Sequence, residues 1–260
     1  MTVNRNQQEE TMKFDKIIAV RSNKTIYKDG DNCIKLFNSD FSKIDVLNEA
    51  LNQARVENVG LKVPKIKEVK MIDGQWAIIL EYIEGKTLAE LMEENPDKFD
   101  RYLEMFVNLQ LEVLSKRCAL LTKLRDKMRN KIAQTTLDET TKYDLCCRLD
   151  GTPRHVKLCH GDFNPTNIIV TPEGDFYIID WAHVTQGNAS ADAARTYLLY
   201  CLEGKEEIAE KYLDLFCSKS GISKKNVQMW MPIVAASQSV KGNENERQFL
   251  LSWVSVVDYY

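Results

Sequence analysis

The sequence predicts a two-lobed α+β fold: a small N-terminal antiparallel sheet lobe with one helix over 1–83, and a larger, mainly helical C-terminal lobe over 84–260. Three observations carry this reading. The first third of the chain alternates like strands, and from about residue 87 the pattern turns to helical periods, interrupted only by 158–180. The chain is also long enough for two lobes, with 260 residues, 44% hydrophobic and 28% charged.

Taken in order, the opening "MTVNRNQQEETMKFDK" is polar and lacks the apolar core of a signal peptide. "KIIAV", ending before Arg21, reads as a strand. "TIYKDGDNCIKLF" (25–37) reads as two strands about a hairpin signal at Asp29-Gly30. "DFSKIDVLNEALNQARVEN" (40–58) spaces Phe41, Ile44, Leu47, Leu51 and Ala54 at intervals of three and four, the pattern of an amphipathic helix. "WAIILEYI" (76–83) returns to strand composition. Beyond it, the segment 97–132 sets Tyr102, Leu103, Phe106, Leu109 and Val113 on one helical face.

The interruption contains "NIIVTPEGDFYIID" (167–180), two apolar runs about the turn residues Thr171-Pro172-Glu173-Gly174, and it reads as a β-hairpin. "SADAARTYLLYCLEG" (190–204) is a helix with Ser190 and Asp192 as cap candidates and a stop at Gly204, and further helices fill 206–219 and about 223–258. Tyr197, Tyr200, Trp230 and Trp253 recur at helical spacing and are assigned to the core. The mixed run 203–214 is a solvated face.

The net charge of −3 leaves no basic excess for a nucleic-acid backbone, and no stretch approaches the roughly 18 apolar residues of a spanning helix. A cytoplasmic protein without a nucleic-acid or membrane partner is expected. The cysteine count is odd, without C-x-x-C pairs and with Cys146-Cys147 adjacent, which reads as reduced, mostly buried thiols; three histidines do not make a structural metal site with them.

The chemistry is concentrated in "HGDFNPTN" (160–167). Asp162 precedes Asn167 by five positions, and the hairpin returns Asp180 beside Asn167 at the strand mouths. Two hard oxygen ligands there suit Mg²⁺ held together with substrate phosphates. Asp162 is left to orient or deprotonate an attacking hydroxyl. His160 is expected to anchor the loop by hydrogen bonding.

"HGDFNPTN" followed by "IIDW" resembles the catalytic segment of the aminoglycoside phosphotransferase and choline kinase-like family, relatives of the protein kinases. The resemblance spans about residues 17–200 and implies a protein-kinase-like fold. Gly161 stands where protein kinases have Arg, Asp180-Trp181 replaces Asp-Phe, and only 12 positions separate Asp180 from Asp192, which leaves little room for a regulatory loop. The resemblance further implies that Lys35 of "NCIKLF" holds the nucleotide phosphates and is oriented by Glu49 of the following helix. It implies that backbone groups of Glu81 and Ile83 in "IILEYIEGKTLAEL" (78–91) meet the adenine edge, that Gly85 starts the helical lobe, and that Asp192 braces the catalytic loop. There is no G-x-G-x-x-G or Walker A sequence; the corresponding hairpin is "VRSNKTIYK" (20–28), where Ser22 and Asn23 are the candidates for phosphate contact.

The implied activity is transfer of the γ-phosphate of ATP, or GTP, to a hydroxyl of a small molecule. An aminoglycoside-type acceptor is the first expectation. Choline, another amino alcohol, a sugar or homoserine is the alternative. A nucleotide-binding module without turnover is opposed by the intact set Lys35, Glu49, Asp162, Asn167 and Asp180. The sequence does not choose acceptor-binding acids among Glu203, Glu206, Glu207, Glu244, Glu246 and Asp258.

Overall fold

In the computed structural model, which describes residues 14–240 and 244–254, the alternating N-terminal region forms a five-stranded antiparallel sheet. Its strands are β1 (Lys16–Val20), β2 (Lys24–Asp29), β3 (Asn32–Phe37), β4 (Ile66–Ile72) and β5 (Gln75–Glu81), in the order β1-β2-β3-β5-β4. Gly30 takes a positive φ of 54° at the tight β2–β3 turn. Sequence reasoning did not find β4, whose charges fill most of its outward positions. Helix α1 (Lys43–Glu57) joins β3 to β4.

The spacing within 40–58 does produce that helix, but its buried face is the opposite of the expected one. Ile44 is 77% exposed and Leu47 and Leu51 are exposed too, while Val46, Glu49, Ala50, Gln53 and Val56 are buried. Polar contacts decide the orientation. Glu49 is drawn inward by two lysines, and the Gln53 amide donates to the Pro64 carbonyl at 2.6 Å, while Val46 and Ala50 pack on Phe37, Ile78 and Leu80. Alternation along β3 places Cys33, Lys35 and Phe37 on this same sheet face.

After α1 the chain leaves the sheet before returning to it. Val56, Leu61 and Val63 join the large core of the helical lobe, the Lys62 carbonyl accepts from the Ile178 N–H at 3.0 Å, and the Lys62 ammonium pairs with Asp175 at 2.6 Å.

The helical lobe opens with β6 (Lys86–Thr87) and α2 (Leu88–Glu94), joined by a capping box in which Thr87 and Glu90 satisfy each other's backbone amides. The expected continuous stretch 97–132 is two helices, α3 (Phe99–Ser115) and α4 (Leu124–Ala133). The segment between them is held extended because its backbone serves other strands: Lys116 O accepts from Leu158 N and Thr122 O from Gln186 N, both at 3.0 Å. There follow α5 (Glu139–Gly151), β7 (Lys157–Cys159), β8 (Ile168–Val170), β9 (Phe176–Ile178), β10 (Thr185–Gly187), α6 (Ala189–Leu202), α7 (Glu206–Ser220), α8 (Lys224–Gln228), α9 (Met231–Gln238) and α10 (Glu244–Ser252).

The β8–β9 hairpin forms where the turn residues place it, with Ile168 opposite Ile178, and β6 adds a third strand. The cap of α6 lies earlier than expected: Asn188 Oδ1 accepts from Ser190 N at 2.9 Å, which leaves Asp192 inside the first turn and free to point elsewhere. A single core fills this lobe around Phe106, Phe163, Trp181, Tyr212 and Phe216, and includes Tyr197, Tyr200 and Trp230 with Trp253 against it. Among the described residues no helix is long and apolar enough to cross a membrane. All seven cysteines are free thiols; Cys159 and Cys201 are buried, whereas Cys147 is exposed.

Candidate active site

A cleft of about 670 Å³ lies between the sheet and the helical lobe, lined by Ile26, Cys33, Lys35, Ile83, Asn167 and Asp180 among others. That volume suits a nucleotide-sized ligand. Four charges meet at its inner end. Lys35, its side chain 8% exposed, places Nζ 2.7 Å from Glu49 Oε1 and 3.2 Å from Asp180 Oδ1. Lys24, at the start of β2, places its own Nζ 2.9 Å and 3.1 Å from the two oxygens of Glu49 and 3.7 Å from Asp180 Oδ1. Sequence reasoning assigned no role to Lys24.

Two lysines and two carboxylates make a formally neutral quartet. Burial alone would lower the pKa of Lys35, but Asp180 and Glu49 outweigh it and hold it raised. Burial would raise that of Glu49; Lys35 and then Lys24 reverse the sign. Lys35 does most to hold the Asp180 carboxyl well below the usual range, against burial and with help from Lys24. Asp180 has a left-handed backbone (φ 60°), uncommon for a residue with a side chain, at the point where β9 gives way to a 3₁₀ turn over Trp181–His183.

Asn167 stands across the hairpin mouth, which is tied by the Ile179 N–H donating to the Asn167 carbonyl at 2.9 Å. Its side-chain nitrogen donates to the Asp162 carbonyl at 2.9 Å, which leaves the amide oxygen to act as a ligand. One carboxylate and one amide oxygen, with no cluster of three or more His, Cys, Asp or Glu among the described residues, fit a hard cation that completes its shell with water and phosphate oxygens. The residues present therefore fit Mg²⁺ and not a structural zinc.

The catalytic loop is fixed from below by neutral hydrogen bonds. His160 is fully buried beside Trp181. Its Nδ1 accepts from the Asp162 N–H at 3.3 Å, so the proton sits on Nε2, which donates to the Ile179 carbonyl at 3.0 Å. Gly161 has φ 80°, and a Cβ there would lie 2.6 Å from the His183 carbonyl, so no other residue fits without moving the loop. The Gly161 N–H donates to Asp192 Oδ1 at 2.7 Å. Asp192 Oδ2 accepts from Gln110, and Gln110 Oε1 accepts from the Tyr212 hydroxyl at 2.6 Å. Burial pushes the Asp192 carboxyl up in pKa, against the pull of the Gly161 N–H.

Asp162 itself is 27% exposed, and its Oδ1 accepts from Arg195 Nη2 at 3.1 Å. Sequence reasoning missed Arg195, although it lies three residues after Asp192 on α6 and therefore on the same helical face. A far smaller cavity, of about 30 Å³, borders the loop at Gly161, Asp192 and Arg195, with Lys127 and Lys131 of α4 on its far wall.

The remaining candidates are placed as follows. Glu81 and Ile83 both line the cleft; the Glu81 N–H is occupied by the Lys65 carbonyl at 2.8 Å. Gly85 follows where a Cβ would lie 2.3 Å from the Val170 carbonyl. Ser22 and Asn23 sit at the tip of the β1–β2 turn with their carbonyls bound by Asn38, and the residue of that turn that lines the cleft is Arg21. Of the acids left open, Glu203 pairs with Lys205 and Glu244 with Arg247, Glu206 and Glu207 are exposed on the first turn of α7, and Glu246 lies near Arg195. Asp258 lies outside the described residues.

Comparison with known proteins agrees with this geometry. No curated protein matches the chain by sequence. Among solved structures, an apo thermostable mutant of aminoglycoside phosphotransferase APH(4)-Ia is similar with a TM-score of 0.67 at 15% identity, over 92% of this chain and 91% of that one. The choline kinase LicA from Streptococcus pneumoniae gives 0.61 at 17% over 91% and 90%, and an aminoglycoside-3'-phosphotransferase of type VIII gives 0.60 at 15% over 86% and 92%. At such identities the likeness is one of fold, and the fold is that of the small kinases. The sequence profile of the phosphotransferase enzyme family matches residues 21–225, most of the chain, and the protein belongs to that family.

Proposed function

We propose that this phosphotransferase moves the γ-phosphoryl group of Mg²⁺-bound ATP, or GTP, to a hydroxyl of a small molecule in the cytosol. The observation that carries the proposal is convergence: Lys35 from β3, Asn167 from the loop 160–167 and Asp180 from the end of the hairpin line one cleft, with Glu49 of α1 bound to Lys35 and Asp162 bound to Asn167 beside it. In this reading the Glu81 carbonyl and Ile83 amide meet the base, and the turn carrying Ser22 and Asn23 covers the phosphates. Lys35, steadied by Glu49, holds the α- and β-phosphates. Magnesium, when bound through Asn167 and Asp180, neutralises charge on the phosphates and on the departing diphosphate. Asp162, oriented by Arg195, accepts the proton of the acceptor hydroxyl as its oxygen bonds to the γ-phosphorus and the bond to the leaving oxygen breaks.

For the acceptor, an aminoglycoside is the first candidate and choline, an amino alcohol, a sugar or homoserine the alternative. Similar folds are known with AMP-PNP and hygromycin B bound, in APH(4)-Ia, and in a choline kinase. The test is magnesium-dependent ADP or GDP release across aminoglycosides, choline, ethanolamine, sugars, sugar phosphates and homoserine. Release stimulated by one acceptor above the acceptor-free rate is expected. A protein that binds ATP but is stimulated by none of these classes would refute the transferase reading in favour of a binding module.

A further inference from the structure

A buried lysine is costly unless its charge is used, and this cleft buries two against one glutamate. Lys24 is 7% exposed in its side chain and, on β2, shares a sheet face with Ile26, which lines the cleft. Its Nζ and that of Lys35 both lie within 3.7 Å of Asp180 Oδ1. Glu49 alone balances only one of the two ammoniums, so the neutrality of the group depends on Asp180, which lies 3.2 Å from Lys35 and 3.7 Å from Lys24. When a cation on the nucleotide engages Asp180, the two ammoniums are left with Glu49 alone between them, next to the cleft that Lys35, Ile26 and Asp180 line.

The turn above it lacks the usual means of holding those phosphates. Glycine-rich loops do so with backbone N–H groups turned inward by left-handed residues. Between β1 and β2 no residue has a positive φ; the Arg21 N–H donates back to the Lys24 carbonyl at 2.9 Å, and Asn38 ties the Ser22 and Asn23 carbonyls to the sheet. An ammonium at the foot of the turn can supply the positive charge that the backbone does not.

We infer that Lys24 is a second phosphate-binding ammonium, acting on the outer phosphates from the roof of the cleft in place of a glycine-rich loop. The inference rests on the nucleotide reading above. Its test is calorimetric titration of the full chain with ATP, ADP and AMP in Mg²⁺, comparing wild type with Lys24→Met and Lys24→Arg. Loss of one charge-assisted contact predicts about tenfold to hundredfold weaker ATP and ADP binding in Lys24→Met. AMP, which lacks the outer phosphates, should change by less than about twofold on the same principle, and Lys24→Arg should recover most of the ATP affinity. If Lys24→Met does not fold, Lys24→Gln keeps a donor for Glu49 without the charge and carries the same comparison. Equal loss for AMP and ATP would show Lys24 to be structural, and unchanged ATP affinity would also overturn the inference while leaving the nucleotide reading intact. Wild type that fails to bind ATP would remove both.

Discussion

The two sides of the cleft hold their functional groups by different means. On the sheet side Lys24, Lys35 and Glu49 are held by one another's charges and by that of Asp180, which reaches across from the helical lobe. On the helical side His160, Asp192 and Asn167 are held by neutral donors and acceptors: backbone amides and carbonyls, Gln110 and the Tyr212 hydroxyl. A mutual ion cluster redistributes when new charges arrive, whereas a network of directional hydrogen bonds has one geometry. In the proposed reading the first arrangement receives the nucleotide, and the second fixes the backbone of the loop that carries Asp162, whose carboxylate Arg195 then orients.

The sharpest way to break this contrast is Asp162→Asn. It should lower kcat by about a thousandfold while changing the Mg·ATP dissociation constant by no more than about threefold. Steady-state kinetics with calorimetry reads both, and retained turnover removes Asp162 from the mechanism. Asp180→Asn should act on the other side, raising the apparent dissociation constant for ATP in Mg²⁺ by about tenfold to a hundredfold with a much smaller change in its absence. Equal loss with and without the metal would separate Asp180 from metal binding.

Asp192→Ala strands the Gly161 N–H and removes one of the two acceptors of the Gln110 side-chain nitrogen, which keeps only Thr196 Oγ1. It should cost roughly 2–4 kcal/mol in urea denaturation, with Tyr212→Phe costing about 1 kcal/mol. A loss at Asp192 of less than about 0.5 kcal/mol, the usual range for an exposed position, would mean that water enters the loop.

The smallest effect is one of sign. The Asp180 pKa is depressed by Lys35, so its contribution is fully present above the ordinary carboxylate value of about 4 and is lost as pH falls below it. The Asp192 pKa is raised by burial, so its ionised form is disfavoured in the fold and stability is gained as pH falls toward the same range. Asp180→Asn should thus flatten the acid loss of stability and Asp192→Asn should steepen it. Shifts in the same direction would show that one of the two environments is misassigned.

Much of the site was legible because its residues are close in sequence and separated by a turn that the composition announces. The spacing of Asp162 and Asn167, and Thr171-Pro172-Glu173-Gly174 before Asp180, define the hairpin and its polar mouths without any tertiary information. Lys24 was not legible, because a lysine at the start of a strand looks solvated until Glu49 is brought to it from a helix 25 positions away. The same glutamate explains the error over α1. Apolar spacing marks a stripe, but a buried ion cluster and Gln53 turned the other stripe inward, leaving Ile44, Leu47 and Leu51 outside. Gln110 and Tyr212 gave no signal at all, since their roles exist only where three helices meet.

The segment between α1 and β4 has a mechanical meaning. The sheet lobe is joined to the helical lobe covalently at 82–85 and is pinned to it a second time where the Lys62 carbonyl holds the Ile178 N–H and Leu61 and Val63 enter the larger core. A body fastened at one point can swing and swivel. Fastened at two backbone links, it turns most easily about the line between them, like a door on its pins, with the ion pairs of Lys24 and Lys35 to Asp180 as the latch across the opening.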